Sequence, residues 1–402
     1  MIAADRASFD AALTAAPSFR RSSAPARIAA YLDTHVFERP TLVLDIERAV
    51  QNFLDLEVGL ATAQSRAHIH YAVKANPEPA LIARLVEEGC RFDAASRAEI
   101  ALCLQQGARP EHVSFGNTVK RAADIAWAHA RGVQLFAADA EAELEKIAAG
   151  APGARVYLRL LVESSEADWP LSRKFGAPGA QIPALFHYAR ALGLRPVGLS
   201  FHVGSQTRRA AMWRPVLEQA AELWHGLVAD GFDMQVLNVG GGFPAYYGEA
   251  IDAPTPYGAG VRALVDALFG PVPYLMAEPG RSIAADAGVI AAEVLLVSRK
   301  RPDDIARWVY LDIGKFSGLA ETMDEAIRYQ IETEADGGDT GPCVLAGPSC
   351  DSADVLYEQR PIQLPEALAA GDRVRILCAG AYTTTYASIG FNGFPPLDVV
   401  CI

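Results

Sequence analysis

The sequence is short of cysteine. Six are present in 402 residues, at positions 90, 103, 343, 350, 378 and 401, with no C-x-x-C pair and no clustered histidines. That spacing speaks against a disulfide framework and against structural zinc. Positive charge is also scarce: 36 Lys and Arg stand against 48 Asp and Glu, a formal net charge of −12, and no basic stripe is visible. Nucleic-acid binding needs a concentrated basic surface, so a phosphate-backbone partner is not expected. No uninterrupted apolar run approaches membrane-spanning length, and the N-terminus lacks a basic segment followed by an apolar core. The expected location is therefore the cytoplasm, with no membrane partner. No internal repeat is evident.

What the chain does have is apolar content, 51% of a length that exceeds one ordinary domain. Residues 1–40 are Ala-rich and include Arg20, Arg21, Ser22 and Ser23, which predicts a mobile lead-in before a strand at Thr41 to Leu44. Eight short apolar or β-branched runs then follow. The first is closed by Lys74; the others are Phe92 to Ala95, Val113 to Phe115, Val133 to Ala137, Arg155 to Leu160, Leu199 to Val203, Val236 to Val239 and Tyr274 to Ala277. Between them, apolar spacing of three and four predicts helices such as 78–88, 97–106, 140–148 and 213–229. This alternation predicts an α/β fold with an eight-stranded, TIM-like (β/α)8 barrel over residues 46–285. Polar residues and glycines fall at the C-terminal strand ends all around the ring, where barrels place their chemistry. A doubly wound open sheet would concentrate them at one or two crossovers. After about Ile283 the strand-like runs lack long helices between them, which predicts a mainly β domain over 286–402, with residues 1–45 contributing to it.

Several residues carry chemical potential in their own right. Partial burial of Lys74 would favour a neutral amine able to form a Schiff base with an aldehyde such as pyridoxal phosphate, whereas a lone lysine at a strand end is usually a surface residue. Gly240, Gly241 and Gly242 after a strand let backbone N–H groups approach a phosphate, or simply make a tight turn. Arg281 adds charge to such a site, Gly280 permits close approach, and Tyr382 offers a phenol. Glu278 reads either as a structural ion-pair partner or as a carboxylate beside a protonated pyridine nitrogen. His202, between Phe201 and Val203, is otherwise a hydrogen-bonded core histidine. Asn76 reads as a cap. Cys350 is either a small hydrophobe or a proton donor, with Asp351 beside it to hold an ammonium group. Glu321 and Asp324, three apart, would lie near one helical face and complement a distal amine, or form a solvated face.

Taken in order, Tyr-Ala-Val-Lys-Ala-Asn at 71–76, Phe-Asp-Ala-Ala-Ser at 92–96, His-Val-Gly-Ser at 202–205, Gly-Gly-Gly-Phe-Pro at 240–244, Glu-Pro-Gly-Arg at 278–281, Gly-Pro-Ser-Cys-Asp at 347–351, Gly-Ala-Tyr-Thr at 380–383 and Phe-Asn-Gly-Phe at 391–394 span nearly the whole chain. This series resembles the pyridoxal-phosphate decarboxylases of basic amino acids built on the alanine-racemase fold, especially ornithine decarboxylases. The resemblance implies that Lys74 holds the cofactor, that His202 stacks on its ring, and that Ser205, the glycine triplet, Gly280, Arg281 and Tyr382 serve its phosphate. It implies orienting roles for Asp93, Glu99 and Arg159. Glu278 on the ring nitrogen favours decarboxylation over racemisation. It further implies a homodimer in which Cys350 and Asp351 come from the opposite subunit, with Glu321, Asp324 and Phe391 toward the substrate. Asp351, where diaminopimelate decarboxylases usually carry glutamate, favours ornithine, giving putrescine, with lysine, giving cadaverine, as runner-up. In the 318–325 segment the chain departs from the eukaryotic pattern, and an ungapped count reaches Glu325. A regulatory relative without activity would have lost the lysine, the glycine loop or the cysteine, and this chain keeps all three.

Overall fold

Strands form where β-branched and aromatic runs find partners. The first, β1 (Thr41–Leu44), is buried along its whole length. The computed structural model describes residues 23–62, 67–162 and 174–402, so Arg20, Arg21 and Ser22 of the predicted lead-in lie outside the described residues. Two units result. One comprises Glu47–Ala245 and Ala250–Ile283; the other comprises residues up to Ile46, Tyr246–Glu249 and Ala284–Ile402.

The first unit is the predicted barrel. Its strands are β2 (Ala67–Ala72), β3 (Arg91–Ala94), β4 (Val113–Phe115), β5 (Leu135–Ala138), β6 (Arg155–Arg159), β7 (Arg195–Ser200), β8 (Val236–Asn238) and β9 (Tyr274–Ala277). All neighbours pair in parallel, and the ring closes where β2 meets β9, with Ala67 opposite Leu275 and Ile69 opposite Ala277. Both strand faces are covered, which is why these runs are apolar almost throughout rather than alternating. The helices between them bury one stripe each: Leu81, Ile82 and Leu85 in Pro79–Glu87, and Val216, Leu217, Ala220, Ala221, Trp224 and Leu227 in Arg214–Ala229. Fully burying a leucine or valine side chain contributes roughly 1.5–3 kcal/mol, so each stripe holds its helix against the barrel.

Two of the strand ends that differ from the sequence expectation carry site residues. The last register pair of β2 with β3 is Ala72 with Asp93, and Ala72 N then donates to Pro279 O, 3.0 Å away. The chain tightens into a 3₁₀ turn, Val73–Ala75, so Lys74 lies in that turn and not on the strand. Likewise β7 ends at Ser200, opposite Arg159 and Asn238, the final residues of its two neighbours. His202 is therefore on the loop beyond β7.

The second unit is mainly β. β10 (Gly288–Ser298) is its spine: residues 288–291 pair with β1, residues 290–293 pair with β15 (Arg373–Ile376), and from Val294 it pairs with β11 (Arg307–Leu311), with an irregularity between Val294 and Leu296. β12 (Ile331–Thr333), β13 (Thr340–Ala346), β14 (Ile362–Pro365) and β16 (Asp398–Cys401) complete the sheet in the order β12-β15-β10-β11-β13-β14, with β1 joining β10 to β16. The helix Ala26–Leu32 contributes Ile28 to a cluster with Ala24, Val43, Val289 and Leu377, so residues near the chain's start are integral to this unit.

Candidate active site

The C-terminal ends of the barrel strands bring together most of the residues singled out from sequence. Lys74 Nζ lies 4.0 Å from Asp93 Oδ2, with the lysine side chain 48% exposed and the aspartate 5%. Asp93 Oδ1 has no hydrogen-bond partner among the described residues. Burial, followed by the nearby Glu278 carboxylate, holds the Asp93 carboxyl well above its ordinary range, against the pull of Lys74 and Arg159. Asp93 fits only because residue 116 is glycine: a Cβ there would stand 1.8 Å from Asp93 Oδ1 and 3.2 Å from Tyr157 Oη. Glu99 acts next door. Ser96 caps the helix Arg97–Gln105 by accepting from Glu99 N at 3.3 Å, and Glu99 Oε2 reaches back to accept from Ala95 N at 2.6 Å. This reciprocal cap fixes the turn that leaves β3 just after Asp93. Asn76 is a cap too, its Oδ1 accepting from Glu78 N at 3.0 Å.

Glu278 follows β9 directly and is held from two sides. Asn238 Nδ2 donates to its Oε1 at 2.5 Å, and Tyr157 Oη lies 3.5 Å from the same oxygen. Asn238 Oδ1 accepts from Gly240 N at 2.9 Å, and Glu278 N donates to Gly240 O at 2.8 Å. The carboxylate and the glycine loop are thus one hydrogen-bonded piece. Gly240 and Gly242 have φ of 71° and 112°, a region that favours glycine. Added Cβ atoms would also collide, 2.1 Å from Phe201 O at Gly240 and 2.9 Å from Glu278 O at Gly241. His202 packs against this loop, its Nε2 3.0 Å from where a Gly241 Cβ would be. His202 Nδ1 accepts from Gly204 N at 3.0 Å. Burial, then Arg159 and Lys74, keep its pKa well below the ordinary value, so the ring is neutral and carries its proton on Nε2. Arg281 opens the single turn Arg281–Ala284 and is buried, as is Gly280 before it; Arg281 Nη2 donates to Ser205 Oγ at 3.1 Å. Arg159, ending β6, has its guanidinium carbon 5.2 Å from the Phe175 ring centroid.

The remaining predicted site residues belong to the β unit. Cys350 is exposed and bonded twice to Asn392: its N donates to Asn392 Oδ1 at 3.0 Å, and Asn392 Nδ2 donates to its sulfur at 3.3 Å. Asp351 is exposed and accepts from Ala353 N at 2.9 Å. Phe391 meets Phe316 edge-on, ring centroids 5.4 Å apart, and Tyr382 takes a φ of 59°. The shared helical face of Glu321 and Asp324 is not formed. Met323 is extended and Asp324 left-handed, which breaks the Ala320–Glu325 turn and leaves Glu321 buried and Asp324 exposed. Glu325 is consumed structurally: it accepts from Gln359 N at 2.6 Å and from Arg328 Nη1 at 2.8 Å.

A lysine beside a buried carboxylate, a glycine loop and a clamped carboxylate at a barrel mouth match what comparison with known proteins finds. The family model described as the pyridoxal-binding domain of pyridoxal-dependent decarboxylases matches residues 45–285. The chain belongs to the pyridoxal-dependent decarboxylase family. This decarboxylase is 32% identical to the lysine/ornithine decarboxylase of Selenomonas ruminantium over 357 residues, 88% of this chain and 87% of that protein. Its fold matches the lysine/ornithine decarboxylase of Vibrio vulnificus complexed with putrescine, with a TM-score of 0.81, 31% identity and coverage of 94% and 99% of the two chains. The Paramecium bursaria Chlorella virus arginine decarboxylase bound to agmatine is similar as well, with a TM-score of 0.82, 28% identity and coverage of 94% and 99%.

Pyridoxal phosphate is the cofactor of the family and of this decarboxylase. The structure fits it. The loop Gly240–Gly242 is bare of Cβ atoms where the backbone must come close, Arg281 and Ser205 add a cation and a hydroxyl, and Lys74 reaches solvent while still touching a buried carboxylate. Among the described residues no His, Cys, Asp and Glu group is arranged to hold a metal ion, and no helix is long and apolar enough to cross a membrane. Sequence reading missed three members of the site. Tyr157 stands two residues before Arg159, so strand periodicity puts both on one face. Asn238 is the polar last residue of an apolar strand. Gly116 had no signal, because its role is the space it leaves.

Proposed function

We propose that this decarboxylase removes the α-carboxyl group of a basic L-amino acid, with L-ornithine giving putrescine as the leading substrate and L-lysine giving cadaverine as the second. The observation that carries the proposal is Glu278, clamped by Asn238 and Tyr157 and tied to the glycine loop in the cluster that also contains Lys74 and Asp93. When bound, pyridoxal phosphate supplies an electron sink for the pair left as carbon dioxide departs. Lys74 is the residue that would hold it covalently. Glu278 keeps the proton on the pyridine nitrogen, which is the condition for that sink to work. His202, neutral, would lie beside the ring. Gly240, Gly241, Gly242, Ser205, Gly280, Arg281 and Tyr382 receive the phosphate, while Asp93, Glu99 and Arg159 orient Lys74 and the ring. Cys350 returns a proton to the α-carbon, and Asp351, with Asp324 and Phe391, receives the distal amine. In this reading two chains form a homodimer and Cys350 and Asp351 act on the partner's substrate.

The test is direct. Purified protein with cofactor is given ornithine, lysine, arginine and norvaline, and the amines formed are identified by chromatography. Putrescine formed fastest, with little product from norvaline, supports the proposal, while agmatine as the main product would replace ornithine by arginine. Borohydride reduction followed by mass spectrometry should find the pyridoxal adduct on Lys74; an adduct on another lysine removes the assignment. Mixed Lys74→Ala and Cys350→Ala chains should regain activity, and no recovery despite demonstrated exchange removes the shared site.

A further inference from the structure

The opposite, N-terminal mouth of the barrel carries cations that have no carboxylate partner among the described residues. β3 begins with Arg91, β6 with Arg155 and β7 with Arg195. Arg155 and Arg195 are direct register partners on adjacent strands, and Arg91 is the register partner of His70. Like charges placed opposite each other destabilise a sheet. Elsewhere in the same unit cations pair with acids, as in Lys120–Glu143 and Arg262–Asp266. Arg91, Arg155 and Arg195 form no ion pair among the described residues.

What the ring does have is donors aimed at one another's surroundings. Arg91 Nη1 donates to Tyr274 Oη at 2.5 Å, His70 Nε2 lies 2.9 Å from the same oxygen, and His68 stacks on the Tyr274 ring at 4.0 Å. Arg155 Nη2 reaches Gln235 Oε1 only at 3.5 Å, and its buried Nε finds no acceptor among the described residues. The nearby Asp233 carboxylate is exposed and already accepts from Gln235 Nε2 at 2.5 Å. Above the ring, Leu135, Ala137, Tyr157, Val197, Val236 and Met276 form an apolar plug on which Tyr274 packs. The plug separates this mouth from the end that carries Lys74. Arg91 and Arg155 are half-buried and Arg195 is exposed, so solvent reaches the ring. Conserving stability alone would call for opposite charges here.

We propose that this mouth binds a phosphate-class oxyanion, either free or as the phosphate of a nucleotide. A tetrahedral dianion accepts bonds from several guanidinium forks at once, whereas a single carboxylate matches one fork. It would satisfy Arg155 and cancel the Arg155–Arg195 repulsion, and it would do so on a chain whose net charge is otherwise −12.

The experiment uses the holoenzyme with its cofactor fixed by borohydride, so that phosphate cannot exchange into the cofactor site. Inorganic phosphate, and separately ATP, are titrated calorimetrically in low-chloride buffer. One saturable site per chain is expected. Arg155→Gln and Arg195→Gln should each weaken binding at least tenfold, while Arg214→Gln, an exposed arginine paired with Glu218, should not. Phosphate should also raise the melting temperature of the parent and not that of the Arg155→Gln/Arg195→Gln double variant. Displacement of phosphate by lower concentrations of ATP identifies a nucleotide as the source; failure of ATP to displace it identifies free oxyanion. Absence of saturable binding, or equal binding by folded variants and parent, overturns the proposal.

Discussion

Gly116→Ala tests the site through a residue that touches neither end of the proposed chemistry by itself. The new Cβ would lie 1.8 Å from Asp93 Oδ1, 2.8 Å from its Cγ and 3.2 Å from Tyr157 Oη. Asp93 is buried and has no room to stay, so its carboxylate must swing away from Lys74, the cation 4.0 Å from its other oxygen. Overpacking of this kind costs about 1–3 kcal/mol. For a unit of this size, at roughly 2–4 °C per kcal/mol, the barrel should melt about 2–12 °C lower. Loss of the Asp93–Lys74 contact should lower kcat/KM by about tenfold or more, since about 1.4 kcal/mol corresponds to a factor of ten. Gly226→Ala is the control. It lies within the helix Arg214–Ala229 with nothing within 4 Å of its new Cβ, and should stabilise by about 0.5–1 kcal/mol. Scanning calorimetry and steady-state decarboxylation on the two variants decide the matter. A Gly116→Ala enzyme with parental melting temperature and parental kcat/KM would refute the reasoning.

Other outcomes follow from buried charges. Burial pulls the Lys120 ammonium down to about 8 from 10.5, despite Glu143 3.0 Å away. Over that window the unfolded chain holds a proton that the folded one has lost, so stability should rise with pH by up to about 1.4 kcal/mol per unit. Below about pH 8 this contribution should be flat, and urea titrations should find the slope missing in Lys120→Met. Burial, then Arg91 and His68, keep His70 well below 6.5, its opposing Phe92 carbonyl contact notwithstanding. The barrel should therefore lose stability as pH falls below about 6.5, and lose it less steeply in His70→Gln; an unchanged slope would show that His70 is not a source. Glu325→Ala strips acceptors from Gln359 N, Arg360 N and the partly buried Arg328. It should cost about 3 kcal/mol or more by denaturation while leaving KM for the amino acid within about twofold. A selective rise in KM without unfolding would return Glu325 to the substrate.

Taken as a linear string, the chain already determined the barrel and the mainly β unit, because each rests on local pattern. Short apolar runs alternating with helical stripes can bury both strand faces only by closing or stacking. Strand limits were less legible. Lys74 lies in the turn after β2, whose pairing with β3 ends at Ala72 and Asp93, and His202 lies beyond β7 because Arg159 and Asn238 end its neighbours; pairing partners are not local. The same holds for the pairing of Asp93 with Gly116, of Glu278 with Asn238 and Tyr157, and of Arg155 with Arg195, each a contact between residues far apart along the chain. Helical spacing even misled at Glu321 and Asp324, where two non-helical residues separate their directions. Side-chain type and spacing carry what one segment does alone; ring closure and register decide which segments share a space, and hence which charges are buried together.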